Sequence, residues 1–120
     1  MQDFRKLKVW GRSCELIRLI YSLTAAFPRQ EMWGIVIQIR RAVVSIATNI
    51  SEGCGRKGGA DFMRFLYFAV GSASEVECCL EISCQLGFVK ERDREAAVAA
   101  VTEVRSMLGA LIRTLAMHNG

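Results

Sequence analysis

The sequence has few of the residues that break helices or build catalytic and metal sites. Proline occurs once, at Pro28, and histidine once, at His118. The five cysteines are an odd number and form no C-x-x-C pair, so neither a disulfide framework nor a zinc site is expected. We therefore expect no metal and no cofactor, with reduced cysteines packed as small core residues.

Long apolar runs are also missing. No stretch approaches about 18 uninterrupted apolar residues, so neither a transmembrane helix nor a membrane partner is expected. The N-terminus MQDFRKLKVW is charged and lacks the apolar core of a signal peptide, which indicates a cytoplasmic protein. The 120 residues, 52% hydrophobic and 23% charged, have the composition of one globular domain over residues 1–120.

Helical periodicity is present throughout. Apolar residues recur at steps of three and four, and no segment alternates with period two. Pro28, the glycines from Gly53 to Gly59, and Gly87 divide the chain. The predicted helices run from about Leu7 to Ala26, from about Glu31 to Glu52, from about Ala60 to just before Gly87, and from about Glu91 to Met117. This pattern predicts an all-α, antiparallel up-down-up-down four-helix bundle.

The same spacing predicts which residues face the core. In the first helix these are Leu7, Trp10, Cys14, Ile17, Tyr21 and Thr24, and the seam is widened by Leu16, Ile20, Leu23 and Phe27. Trp33, Val36, Val43, Ala47 and Ile50 follow in the second, and Phe62, Leu66, Ala69, Ala73, Val76 and Leu80 in the third. Ala97, Val101, Val104, Leu108, Leu111 and Leu115 complete the set in the fourth.

The second and third helices are more apolar than one bundle requires. The apolar arc of the second helix covers roughly 220° of its circumference. The residues that extend beyond the core faces are Trp33, Ile37 and Val44 in the second helix and Phe65 and Phe68 in the third. Excess apolar surface on adjacent helices is typical of an interface, so we expect a homo-oligomer that buries these five side chains.

One polar stripe runs between the same two helices. Its predicted members are Gln38, Arg41, Ser45, Asn49, Glu52, Ser72 and Glu75. In an antiparallel hairpin Arg41 and Glu75 come close enough for an ion pair. The stripe is either a structural polar seam that sets the helix register or a solvated face. No catalytic site is expected here, because no paired carboxylates, histidine or cysteine converge on it.

The segment GCGRKGG, residues 53–59, joins these helices and carries Arg56 and Lys57. With Arg40, Arg41 and Arg64, these residues form a candidate nucleic-acid-binding patch. The net charge of +4 and the sequence pI of about 9.0 permit a polyanionic partner without requiring one. The alternative is that the glycines end the second helix and the charges only solvate a turn.

Several segments resemble, in order, the bacterial four-helix-bundle family, also called the ribosomal RNA intervening-sequence protein family. They are FRKLKVW, LIYSLTAAFP, QIRRAVVSIATNISEGCGR, DFMRFLYFAVGSASEVE and LGFV. The most specific motifs are R-A-x-x-S-I-x-x-N-I-x-E-G-x-G-R over residues 41–56 and A-x-G-S-x-x-E over residues 69–75. The similarity covers nearly the whole chain.

This resemblance implies a four-helix bundle assembled as a ring-like pentamer, with no enzymatic activity. From the basic residues and the expected ring together, our leading hypothesis is a non-enzymatic protein that binds RNA or a ribonucleoprotein through basic residues repeated around the ring. Five chains of net charge +4 would together carry about +20. Distant relatives are accessory proteins of diversity-generating retroelements, which leaves the alternative of an adaptor that binds a protein such as a reverse transcriptase. The matched motif positions are Arg41, Ser45, Asn49, Glu52, Gly53, Gly55, Arg56, Gly71, Ser72 and Glu75.

Overall fold

The computed structural model describes residues 2–119, and this part of the chain contains helices and no strand. The four α-helices are α1 (Lys8–Thr24), α2 (Ile37–Cys54), α3 (Gly59–Gln85) and α4 (Glu91–Asn119). Consecutive helices pack side by side, and α4 returns to contact α1. The prediction of four helices without strands is therefore confirmed. None of the helices in residues 2–119 has the length and hydropathy that a bilayer-spanning segment needs.

Helix ends follow the local chemistry of the sequence. At the end of α3, Gly87 has a φ of 81°, a left-handed conformation that glycine adopts without steric cost. The N–H of Gly87 donates to the carbonyl of Cys84 at 3.0 Å, and the N–H of Phe88 donates to the carbonyl of Ser83 at 2.9 Å. These two bonds are the Schellman arrangement, which satisfies the last carbonyls of a helix.

The start of the second helix differs from the prediction. A short 3-10 turn covers Arg29–Glu31, a wider π turn covers Met32–Val36, and regular α2 begins only at Ile37. Gly34 has non-helical angles, with φ −107° and ψ −114°, and glycine is the poorest helix former after proline. Because the chain bends here, Trp33 leaves the helical period that it shares with the core residues of α2, and its side chain is 84% exposed.

The core is a continuous column of aliphatic side chains from all four helices. Its fully buried members include Leu16, Ile20, Ile39, Ile46, Ile50, Leu66, Leu80, Val101 and Leu108. All six residues predicted to face the core from α3 are buried. Burying each large aliphatic side chain contributes about 1.5–3 kcal/mol, so this column supplies most of the favourable free energy of folding.

The spacing predicted the core face of α1 only in part: Leu16, Ile20 and Thr24 are buried as expected, whereas most of the other predicted residues are not. The buried residues of α1 are Val9, Ser13, Leu16, Ile20 and Thr24. Trp10, Cys14 and Ile17 lie on the flank of the helix, and Tyr21 is exposed. Two polar residues tolerate burial because the hydroxyl of Ser13 donates to the carbonyl of Val9 and that of Thr24 to the carbonyl of Ile20, both at 2.7 Å.

The helices α2 and α3 approach each other closely at Gly53. A Cβ atom added there would lie 2.8 Å from Cδ1 of Phe62, 3.1 Å from Cβ of Phe65 and 3.2 Å from the carbonyl oxygen of Phe62. Two of these three neighbours are the backbone and the Cβ atom of α3, which cannot rotate away. Gly53 therefore permits a helix spacing that any larger residue would prevent.

We predict that Gly53→Ala destabilises the protein by about 1–3 kcal/mol, the usual cost of overpacking. The matched control is Gly11→Ala in α1, where an added Cβ meets nothing within 4 Å. The control should gain about 0.5–1 kcal/mol from helix propensity. Urea unfolding followed by circular dichroism measures both. Equal stability of Gly53→Ala and the wild type would contradict the close crossing.

Candidate functional site

The first turns of α3 and the end of α2 hold an arginine–aromatic cluster, formed by Arg56, Arg64, Phe65 and Phe68. The guanidinium carbons of Arg56 and Arg64 lie 4.7 and 4.8 Å from the centre of the Phe65 ring. The ring of Phe65 meets that of Phe68 edge to face, with centroids 5.5 Å apart. Stacking on an aromatic face holds a guanidinium in place while leaving its N–H groups available.

Two carboxylates neutralise part of the positive charge of Arg56 and Arg64. Oδ1 of Asp61 accepts from Nε of Arg64 at 3.0 Å and lies 2.9 Å from its second nitrogen, while Oδ2 lies 3.9 Å from Nε of Arg56. Glu52 lies 3.5 Å from Arg56. Asp61 also sits in the first turn of α3, where the helix dipole favours a negative charge. Within the cluster and its two acids, two positive charges thus meet two negative ones.

The remaining predicted basic residues occupy different environments. Lys57 is exposed in the turn beside Arg56. Arg40 binds to the end of α1, where it donates to Oγ1 of Thr24 at 2.9 Å and to the carbonyl of Tyr21 at 3.3 Å, with its guanidinium 4.4 Å from the Tyr21 ring centre. Arg41 is exposed. Fourteen residues of helix separate Arg40 from Cys54, or about 21 Å, so Arg40 and Arg41 do not join the other three in one patch.

The residues of the predicted polar stripe also lie in different environments. The hydroxyls of Ser45 and Ser72 are 2.9 Å apart and bridge α2 to α3. The amide nitrogen of Asn49 donates to the carbonyl of Ser45 at 2.8 Å and to its hydroxyl at 3.0 Å. Gln38, Arg41 and Glu75 are exposed, and Glu52 pairs with Arg56. Within residues 2–119, no ion pair forms between Arg41 and Glu75.

The five residues predicted for an oligomer interface remain at least partly accessible in the single chain. Trp33 is 84% and Phe68 47% exposed, whereas Ile37, Val44 and Phe65 are half-buried. Trp33, Ile37 and Val44 line an apolar groove of about 490 Å³ whose polar residues include Arg40 and Arg41. This groove follows the outer side of α2 and is distinct from the arginine–aromatic cluster.

The cysteines form neither a metal site nor a disulfide within residues 2–119. Burial raises the pKa of Cys54, with a further contribution from Asp3. Burial, and secondly Glu75, raises the pKa of Cys79 to about 11. Because only a thiolate is a good nucleophile or metal ligand, these two buried groups act as core residues at neutral pH.

A family model described as "23S rRNA-intervening sequence protein" matches residues 5–110. The chain belongs to this family. It is similar to a solved structure from Bacteroides thetaiotaomicron, described as a protein of unknown function from the S23 ribosomal protein family. The two share 27% identity with a TM-score of 0.78, over 87% of this chain and 97% of the other. No curated protein matches the chain. The family predicted from the motifs is confirmed.

In this intervening-sequence family member, most contacts of the arginines could not be predicted from the sequence. The spacing of Asp61 and Arg64 is a favourable i, i+3 pair on a helix, so this contact was detectable. The stacking of Arg56 on Phe65 depends on the angle between α2 and α3, which the sequence does not reveal. The contact of Arg40 with α1 likewise depends on how two helices pack.

For this family member we predict that the Cys79 thiol makes stability fall in alkaline solution. Its folded pKa is about 11 and its ordinary value 9.0, so between these values the unfolded chain loses a proton that the folded chain keeps. The free energy of unfolding therefore falls as pH rises through this range.

Urea unfolding at about pH 8 and about pH 10 should show a smaller fall in the free energy of unfolding for Cys79→Ala than for the wild type. Cys14→Ala, at a half-buried position of α1 remote in sequence from Cys79, is the control, and its stability should fall as that of the wild type does. Equal falls in all three proteins would contradict this assignment.

Proposed function

We propose that this protein is a non-enzymatic, homo-oligomeric helical-bundle protein that binds RNA or a ribonucleoprotein. The contact is made through Arg56, Lys57 and Arg64 at the α2–α3 turn. Arg40 and Arg41, about 20 Å farther along α2, play at most a secondary part. The family's name associates its members with intervening sequences of 23S rRNA, which supports RNA over other polyanions.

The observation that carries this proposal is the arginine–aromatic cluster. Arg56 in the turn and Arg64 on α3 are both exposed, and both guanidiniums lie against the ring of Phe65. A guanidinium held in this way loses little rotamer freedom when it binds a phosphate with two hydrogen bonds.

Assembly would strengthen a site that is weak in one chain. A single chain has a net charge of +4, and the two arginines of the cluster are partly compensated by Asp61 and Glu52. A ring-like pentamer would repeat the site five times, and linked sites bind a long polyanion more tightly than one site does. The exposed Trp33 and Phe68 are the apolar surface available for such assembly.

We predict that Arg56→Glu combined with Lys57→Glu lowers the affinity for a structured fragment of 23S rRNA at least about tenfold near 50 mM salt. The reason is the loss of phosphate contacts, so the salt dependence should also become shallower. The charge-matched control is Lys90→Glu combined with Arg92→Glu. These two exposed residues lie at the start of α4, which follows the end of α3 that is remote from the α2–α3 turn. Fluorescence anisotropy over a salt series measures both variants.

Equal effects of the two charge-reversed variants would show that only net charge matters and would contradict a site at the turn. An absence of wild-type binding near 50 mM salt, where phosphate contacts are strongest, would overturn the RNA proposal. The adaptor that binds a protein, such as a reverse transcriptase, would then be the function to test.

We predict that Asp61→Asn increases RNA affinity by a few fold, on the order of 1 kcal/mol. Removing this carboxylate charge releases Arg64, and in part Arg56, for phosphates, so the salt dependence should become steeper. Glu103→Gln is the control, since Glu103 pairs with Arg12, outside the cluster. An affinity that falls or stays unchanged in Asp61→Asn would show that Asp61 orients the arginines instead of competing for them.

A further inference from the structure

Two helical stripes face away from the core on neighbouring helices. The α2 stripe consists of Ile37, Arg41, Val44 and Thr48, and the α3 stripe consists of Phe68, Gly71, Glu75, Cys78 and Ile82. The steps are four, three, four in the first stripe and three, four, three, four in the second, which is the spacing of a helix-packing seam. Every member is exposed except Ile37 and Val44, which are half-buried. The single chain therefore presents two packing seams that its own fold leaves uncovered.

The two stripes carry opposite charges at equivalent places. Each contains one charged residue, Arg41 on α2 and Glu75 on α3. Both are exposed, and neither takes part in an ion pair within residues 2–119. Packing one α2 stripe against another would place Arg41 against Arg41, and the corresponding α3 pairing would place Glu75 against Glu75. Like charges at a contact are unfavourable.

The side chains next to these charges also complement each other in size. On α2, Ile37 and Val44 lie one turn to either side of Arg41. On α3, Gly71 and Cys78 occupy the equivalent places around Glu75. A Cβ added at Gly71 would meet nothing within 4 Å, so this glycine leaves a gap on the outer surface of α3. Large residues on one stripe thus face small residues on the other, as packing of ridges into grooves requires.

We propose that the α2 stripe of one copy packs on the α3 stripe of a second copy, with Arg41 and Glu75 paired across the contact. Three exposed side chains provide the apolar area of this contact. Trp33 lies in the groove that extends the α2 stripe, and Phe68 and Ile82 lie at the two ends of the α3 stripe. This inference deepens the homo-oligomer of the proposed function by naming the two surfaces that meet. It assigns Arg41 to self-assembly and leaves Arg56, Lys57 and Arg64 for RNA.

Charge reversal tests the contact through the mass of the assembly. Arg41→Glu and Glu75→Arg, each alone, place like charges at every contact and should raise the dissociation constant at least tenfold, about 1.4 kcal/mol. In a mixture of equal amounts, each contact between the two variants again joins opposite charges, so species that contain both variants should form. The double variant Arg41→Glu combined with Glu75→Arg restores opposite charges at every contact, whatever the number of copies in a ring, so its assembly should have the wild-type mass. Light scattering or native mass spectrometry measures the masses. Recovery in the mixture also shows that both variants are folded.

Two further variants test the apolar part of the contact. Trp33→Asp and Phe68→Asp change exposed side chains, so the fold should survive while the assembly mass falls. Arg18→Glu, at an exposed position of α1, is the control and should keep the wild-type mass. An intrachain Arg41–Glu75 contact cannot be restored by mixing, so a mixture without any species that contains both variants would overturn the proposal, as would a double variant that stays dissociated. A monomeric wild type, or full assembly of either charge variant alone, would do the same.

The result of the assembly experiment can be separated from the result of the RNA-binding experiment. Arg56→Glu combined with Lys57→Glu should abolish RNA binding without changing the assembly mass. Arg41→Glu should change the mass first and the RNA affinity only through the loss of repeated sites. Failure of the RNA experiment with an intact assembly would therefore leave the contact between copies standing.

Discussion

The arrangement of this protein depends on how closely α2 and α3 approach each other at Gly53. At that position the Phe62 and Phe65 side chains and the α3 backbone occupy the space that a Cβ would need. The crossing fixes the register of the hairpin, and two turns away Ser45 and Ser72 meet at hydrogen-bonding distance. It also brings the end of α2 over the first turns of α3, so that Arg56 reaches the ring of Phe65. A wider spacing would separate the guanidinium from the ring.

Much of the fold was predictable because long helices repeat their pattern many times. The six predicted core residues of α3 are all buried, and Gly87 ends that helix as its position suggested. The core face of α1 was predictable only in part from spacing, since two neighbouring stripes are both largely apolar. Ser13 made the buried stripe look more polar than it is, because its hydroxyl bonds to its own helix.

The candidate site was predictable in its residue types and less so in its geometry. Arg56, Lys57 and Arg64 do lie together, since a short turn connects their helices. Arg40 contacts α1 instead, because it lies on the side of α2 that packs against α1. There its guanidinium stacks on the ring of Tyr21. The bend at Gly34 that turns Trp33 outward depends on a single residue and leaves no periodic signal. Features set by one crossing or one bend are those that spacing cannot reveal.

The contact of Arg40 with α1 has a consequence for how the molecule opens. A helix normally leaves its last carbonyls to water or to local caps, and such ends fray readily. Here the carbonyl of Tyr21 and the hydroxyl of Thr24 accept hydrogen bonds from Arg40 of α2, and a cation near a helix C-terminus is favoured by the helix dipole. Fraying of the last turn of α1 therefore also has to break these contacts with Arg40. The opening of this helix end is thereby coupled to its release from α2.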